Sequence, residues 1–404
     1  MEESLYKSRL EKNIGLYSWF KIFTKRVYLP IITIQLVNVG NVTVHQLAII
    51  ASVTAIIQLL LQVPTGYVAD VWGNKRAIVL GAATSTVSPL FYILMPNFVG
   101  GLLAAIFFFG GYSFQSGAIE SFIHDTLITL GKEGEYTKVM GRAQSYGLIG
   151  NIILISLVPA TYAINHNLPF LLGFVSLVIM LWIALNFTYP ERKTETKPKN
   201  PFVATRNIVT IQNIAIFIFA GAMVGVMNRA PEYRELLFQD LGINVTYFGV
   251  LLALGSIAGA IMGWFVHLLD KLKSNTFYFI DFIFISVCLV VTGITRNPLI
   301  VVAGFTLFAA YSRVRLIIVQ AKLLHNLEHA YKATLLSALN LFSGLADIIA
   351  ISVLAIFISS KGYSKGYLSF GVTVFIVGFV LWAIVFLASR YNDRKETEPI
   401  GTNS

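Results

Sequence analysis

Twelve apolar runs, each of twenty residues or more, follow one another along this chain: 14–38, 44–69, 76–95, 98–124, 138–163, 168–187, 208–232, 245–269, 276–295, 298–324, 329–358 and 365–389. A helix needs about 20 residues to cross bilayer hydrocarbon. In that solvent every backbone group must be paired internally, which leaves helices or a closed barrel. Runs of this length predict an all-α integral membrane protein with twelve transmembrane helices. Composition agrees: 56% of the 404 residues are hydrophobic and 12% charged, against about a quarter charged in a soluble domain. Breakers such as Gly40-Asn41, Pro96-Asn97 and Asn297-Pro298 stand between the runs.

The net charge of +10 would suggest nucleic acid for a soluble chain, but membrane topology accounts for it without such a partner. With the N-terminus inside, the loop and helix-end Lys and Arg residues divide twenty to four in favour of the inner side. That bias sets orientation, so both termini are expected in the cytoplasm and the protein in the cell membrane. The stretch from Tyr189 to Asn207 is the longest polar interruption, rich in Pro and charge. It divides the chain into an N-terminal six-helix bundle (1–189), a cytoplasmic linker (190–207) and a C-terminal six-helix bundle (208–404). The single cysteine, Cys288, lies in an apolar run and reads as a core residue. No nucleotide, metal-protease, redox or serine-hydrolase motif occurs, so neither enzyme chemistry nor a cofactor or metal is expected.

Six Lys and Arg residues remain once the loop and helix-end ones are assigned: Lys21, Lys25, Arg26, Arg229, Arg313 and Arg315. Ionisable groups at lipid depth are costly and face a cavity or a partner. A surface helix ending near Arg26 would leave about 13 residues to span the bilayer, too few at about 1.5 Å each. The first helix is therefore expected to run continuously through Lys25. Lys21, Lys25, Tyr28, Ile32 and Gln35 then share one stripe, read as cavity-facing, with an internal salt bridge as the alternative. Arg313 and Arg315 lie about 200° apart on the tenth helix. Arg313, on the face of Gln320, is the one expected at a cavity, and Arg315 is expected to snorkel to the interface. On the fourth helix Ser113, Gly117, Glu120 and His124 share a face, with Glu120 a candidate proton acceptor and Asp125 interfacial. Asp347 either pairs with a buried Arg or titrates, and Asp281 reads as structural. Asn228, Arg229 and Glu232 suggest an outer gate or a solvated helix end.

The turn between the second and third helices reads Gly66-Tyr-Val-Ala-Asp70-Val-Trp-Gly73-Asn-Lys75-Arg76. Asp70 opposes the helix dipole and needs a cation nearby, and Gly73 suits a positive-φ turn. The segment resembles the signature between helices 2 and 3 of the major facilitator superfamily. The second half repeats it in degraded form, Gly263 to Lys273, with His267 for Asp70 and Asp270 for Gly73. Tyr112-Ser113 likewise recurs at Tyr311-Ser312. Two halves related by a repeat suit that superfamily, and among its members the length is similar to bacterial drug and small-solute exporters.

The resemblance implies two pseudo-symmetric bundles rocking about a central site lined by helices 1, 4, 7 and 10. Substrate contacts are then expected from Lys25, Tyr28, Gln35, Tyr112, Gln115, Arg313 and Gln320, and proton coupling from Glu120 and Asp347. Gating is expected from Gly66, Asp70, Gly73, Lys75 and Arg76. The chain departs from proton antiporters of this kind in having no Arg in helix 4 and a poor Gly-Pro pattern in helix 5. Its deep cations outnumber its deep acids, which favours an anionic or zwitterionic solute. The expected function is secondary active export of small organic solutes coupled to protons, by a monomer. An uncoupled facilitator, an importer of an anionic metabolite and a lipid flippase are the alternatives.

Overall fold

The computed structural model describes residues 2–190, 211–266, 269, 271–324 and 329–397. Its helices are α1 Glu2–Phe23, α2 Ile32–Asn38, α3 Val44–Trp72, α4 Asn74–Leu94, α5 Phe98–Thr129, α6 Tyr136–Leu157, α7 Leu168–Asn186, α8 Ile211–Arg229 and α9 Arg234–Asp240. There follow α10 Phe248–Trp264, α11 Ser274–Ile294, α12 Pro298–Leu324, α13 His329–Lys361 and α14 Tyr363–Thr397. Eleven helical stretches among the described residues are long and apolar enough to cross a membrane. The first span supplies the twelfth, in two pieces. The chain is an all-α, multi-pass membrane protein.

That first span corrects the sequence reading. Instead of one helix over 14–38, α1 stops at Phe23 and the chain resumes through a 3₁₀ turn, Leu29–Ile31, into α2. The cause is local. Thr24 turns its hydroxyl back onto the Phe20 carbonyl at 2.6 Å, a bond that bends helices. Pro30 lacks an N–H and its ring excludes the helical position of the Arg26 carbonyl. The Arg26 carbonyl accepts instead from the Leu29 N–H at 2.9 Å. The seventh span breaks in the same manner: α8 ends at Arg229, and a 3₁₀ turn containing Pro231 leads into α9.

The chain divides into two compact units, Met1–Thr196 with Ile243–Ala253, and Lys197–Gly242 with Leu254–Ser404. Most of the expected linker lies outside the described residues, as do His267 and Asp270.

In the first unit, helices meet through small residues and short polar side chains, as is usual where lipid removes the hydrophobic drive between helices. Ser88 donates to the Ala104 carbonyl at 2.8 Å and Thr86 to that of Leu177 at 3.2 Å. A Cβ on Gly81 would stand 2.5 Å from the Gly111 carbonyl oxygen, so α4 and α5 touch backbone to backbone there. Asn13, fully buried, clamps the end of the sixth span: it donates to the Thr188 carbonyl and accepts from the Thr188 N–H, both at 2.9 Å.

Candidate substrate site

In the first unit the polar groups gather where the first span breaks. The guanidinium carbon of Arg26 stands 4.7 Å from the ring centroid of Phe108 and 4.6 Å from that of Phe109, both on α5. Such stacking attracts a cation through the negative ring faces. Arg26 forms no ion pair with any described residue. Lys25, one residue earlier, is exposed. Lys21 packs its Cβ toward Gly147 on α6 and places its ammonium 5.4 Å over the Tyr17 ring. Glu120 on α5 is exposed, and its charge acts on Lys21, Tyr17 and Tyr136. His124, one turn on, meets the Tyr136 ring edge-on at 5.2 Å and approaches Glu133 at 3.7 Å.

The expected stripe on the first span does not survive the break. Lys25 is exposed, whereas Tyr28 and Gln35 are fully buried. Tyr28 sits between Phe170 and Tyr92, its hydroxyl 3.5 Å from Ser88. Gln35 donates to the Tyr92 carbonyl at 3.2 Å and to the Asn167 side chain at 3.3 Å. Both side chains hold α1–α2 to α4 and α7 rather than extending the row begun by Lys21. On α5, Tyr112 is exposed and Gln115 buried, the latter donating to Ser85 at 3.2 Å.

At the turn between α3 and α4, Gly73 has φ +92°, the positive value expected of it. Asn74 ties the start of α4 to α5 through Ser121 at 2.9 Å and Asp125 at 3.2 Å. The Lys75 ammonium lies 5.2 Å over the Tyr189 ring, and Arg76 is exposed. The side chains of Gly66 and Asp70 lie outside those described, so the latch expected of Asp70 does too.

The second unit places its charges differently. Arg315 does not snorkel. It is 1% exposed, and its Nε donates to both carboxylate oxygens of Asp281, at 2.7 and 2.9 Å. The Tyr311 hydroxyl donates to the same carboxylate at 2.8 Å. Asp281, fully buried on α11, is the partner that sequence did not assign to Arg315. Arg313, on the far side of α12, is exposed and donates to Ser256 at 2.9 Å. The side chain of Gln320 lies outside those described. At the break in the seventh span, Arg229 donates from Nε to Asp347 at 3.2 Å, with Nη2 at 3.1 Å from that carboxylate and Nη1 3.5 Å from Glu232. Asn228 adds a bond to Asp347 at 3.1 Å. Close contact at Gly225, where a Cβ would fall 2.6 Å from the Ala346 backbone, brings α8 and α13 within reach of that pair. Asp347 is thus paired with the part-buried Arg229, one of the two readings left open for it.

Arg26 stands among the deep cations of the sequence, but at a break where a continuous helix is expected. Its signal was the sequence Thr24-Lys25-Arg26 followed by Pro30, which marks a broken helix once continuity is not assumed.

An all-α chain of this kind, with charged side chains held at two interrupted spans, defines a polytopic membrane transporter. The comparisons narrow the class: the model of the Major Facilitator Superfamily matches residues 14–351, and the chain belongs to that family. An uncharacterized MFS-type transporter of Methanocaldococcus jannaschii is 24% identical over 322 residues, covering 76% of this chain and 81% of that one. Among solved structures, a variant of the nucleoside transporter NupG superposes with a TM-score of 0.81 at 11% identity, over 93% of this chain and 99% of that one. A bacterial homologue of the human lysosomal transporter Spinster, inward-facing and unoccupied, gives 0.69 at 14% identity over 95% and 97%. A peptide transporter POT in complex with sulfate gives 0.69 at 13% over 94% and 95%. The structural likenesses establish the fold, and the family match establishes a transporter of the Major Facilitator Superfamily.

Proposed function

We propose that the protein is a secondary active exporter of small organic solutes, working by alternating access as a monomer in the cytoplasmic membrane with both termini inside. Its cargo is anionic or zwitterionic. The observation that carries this reading is the break in the first span, where Arg26 lies without an ion-pairing carboxylate among the described residues. A charge held at lipid depth without a counter-ion is costly, and a solute of opposite sign relieves that cost only while it is bound. Glu120, whose charge reaches Lys21 and Tyr17, takes the coupling proton. Asp347 is a second candidate, since its protonation weakens the hold on Arg229. Gly66, Asp70, Gly73, Lys75 and Arg76 form the gate.

The test is a panel of cationic, neutral, zwitterionic and anionic solutes on reconstituted protein, with and without a pH gradient. Uphill movement of anions or zwitterions under the gradient is expected, and Glu120→Gln should abolish the coupling while leaving downhill flux. Gradient-independent flux in the native protein would favour the uncoupled facilitator. A preference for cations would remove the cargo assignment.

A further inference from the structure

Two features at the end of α1 point to a more definite ligand. The first is the guanidinium of Arg26. Its guanidinium carbon lies 4.7 and 4.6 Å from the ring centroids of Phe108 and Phe109, whose planes stand 89° apart, and it makes no hydrogen bond or ion pair to another described residue. A planar guanidinium carries five N–H donors in a fixed fork, here without a partner among the described residues. Such a fork matches a carboxylate or phosphate through two parallel hydrogen bonds, a geometry that an ammonium does not offer. The second is a groove of about 300 Å³ between α1 and α6, walled by Trp19, Ile22, Phe23, Tyr146, Ile149 and Ile153. Its volume lies at the lower end of the range for small-molecule sites. Trp19, Tyr146, Ile149 and Ile153 are each more than half exposed, so the wall is open to an occupant. Phe23 and Arg26 are three residues apart, so the chain itself keeps their backbones within roughly 11 Å.

Resting on the anion-transport reading above, we propose that the end of α1 binds an organic anion with an apolar body. The carboxylate or phosphate lies in the fork of Arg26, and the body lies in the groove between α1 and α6. Charge and shape select together. Lys21, Lys25 and Arg26 disfavour a cation, a small inorganic anion leaves the groove unfilled, and a neutral aromatic leaves the fork unused.

The test is binding to the purified full-length protein in detergent, without any gradient, read by calorimetry and by tryptophan emission, since Trp19 lines the groove. The probes are 2-naphthoate, 2-naphthamide, acetate, naphthyl phosphate and lysophosphatidate. Naphthoate is expected to bind at least tenfold more tightly than either the amide or acetate. Arg26→Gln should erase the preference over the amide while leaving amide binding unchanged, and Arg26→Lys should restore only part of it. Ile149→Gln should weaken naphthoate several-fold and keep the dependence on Arg26. Thermal unfolding of each variant confirms that it is folded. Unchanged naphthoate affinity in Arg26→Gln and Arg26→Lys would overturn the fork. Acetate matching naphthoate, with Ile149→Gln silent, would overturn the groove. Lysophosphatidate outcompeting naphthyl phosphate by tenfold or more would overturn a soluble solute and give the site to an anionic lipid. A failure here leaves transport intact, whereas absence of flux in the vesicle panel removes the transport reading and does not depend on these measurements.

Discussion

The two units cross the same pair of spans in opposite ways. In the first, α4 meets α5 backbone against backbone at Gly81 and Gly111, with one neutral hydrogen bond, Gln115 to Ser85, beside them. Two hundred residues further on, α11 meets α12 at Asp281, Tyr311 and Arg315, and the contact is a buried ionic network. Where side chains are absent, close approach yields dispersion contacts spread over many atoms, and losing one of them costs little. Where a charged pair fills the gap, stability depends on each partner compensating the other, and removing one leaves an unpaired charge. The Arg315 Nη2 has no hydrogen-bond partner among the described residues. The value of the network lies in fixing the register of the two helices rather than in net attraction.

The largest effect is expected from breaking that network. Asp281→Asn should destabilise the purified protein by about 3–5 kcal/mol, the cost typical of removing one partner of a buried pair. Replacing both, Asp281→Leu with Arg315→Met, should recover most of the loss. Thermal unfolding in detergent reads both. A single variant within about 1 kcal/mol of the native protein would show that the two crossings are energetically alike and remove the contrast.

Next in size is the break of the seventh span. Asp347→Asn takes the main counter-ion from Arg229 but leaves Glu232, 3.5 Å away. The residues are 13% and 12% exposed in their side chains, so water screens part of the change. About 1.5–3 kcal/mol is expected, the range for hydrogen bonds to charged groups. Asp347→Asn with Arg229→Gln together should cost less than the sum of the single changes, because the two residues share one interaction.

The glycine crossing should answer to volume rather than charge. Gly81→Ala places a Cβ 2.5 Å from the Gly111 carbonyl oxygen and 2.8 Å from the Gln115 Cγ, and overpacking of this kind costs about 1–3 kcal/mol. Gly117→Ala, on the same helix as Gly111, meets nothing within 4 Å. It should be neutral or stabilise by up to about 1 kcal/mol through helix propensity. Equal effects at Gly81 and Gly117 would mean that the approach of α4 and α5 is not what the first unit relies on.

These contrasts also mark what sequence could and could not reveal. The spans were legible because hydropathy over 20 residues is a property of each segment alone. Gly73 was legible because the turn demands its φ from local geometry. Arg315 was misread because its partner, Asp281, lies on another helix, and the rotation of one helix against its neighbour is not written in either segment's periodicity. Tyr28 and Gln35 were placed on the wrong side for a different reason: the 3.6-residue repeat was extended across a break. Pro30 marked that break, yet Pro64 and Pro89 lie within unbroken helices. What differs at Pro30 is its company: Lys25 and Arg26 stand one turn upstream, whereas Thr back-bonds like that of Thr24 also occur beside Pro64 and Pro89.

The smallest expected effect on stability comes with the largest on function, at the counterpart of Arg229. An arginine stands at each break, Arg229 at the end of α8 and Arg26 within the gap after α1, but Arg229 is held by two carboxylates and Arg26 only by two rings. A cation–π contact is worth about 0.5–1 kcal/mol when accessible to water. Arg26→Gln should therefore lower stability by no more than about 1–2 kcal/mol, less than Asp347→Asn in the same assay. Initial rates of anion uptake into vesicles of inverted orientation should nonetheless fall tenfold or more. The asymmetry predicts the direction of the difference: an arginine already satisfied by its own chain supports the fold, and one left unsatisfied is free to be satisfied by cargo. A variant that unfolds as readily as Asp347→Asn while transporting normally would place Arg26 among the structural arginines and make the two breaks equivalent.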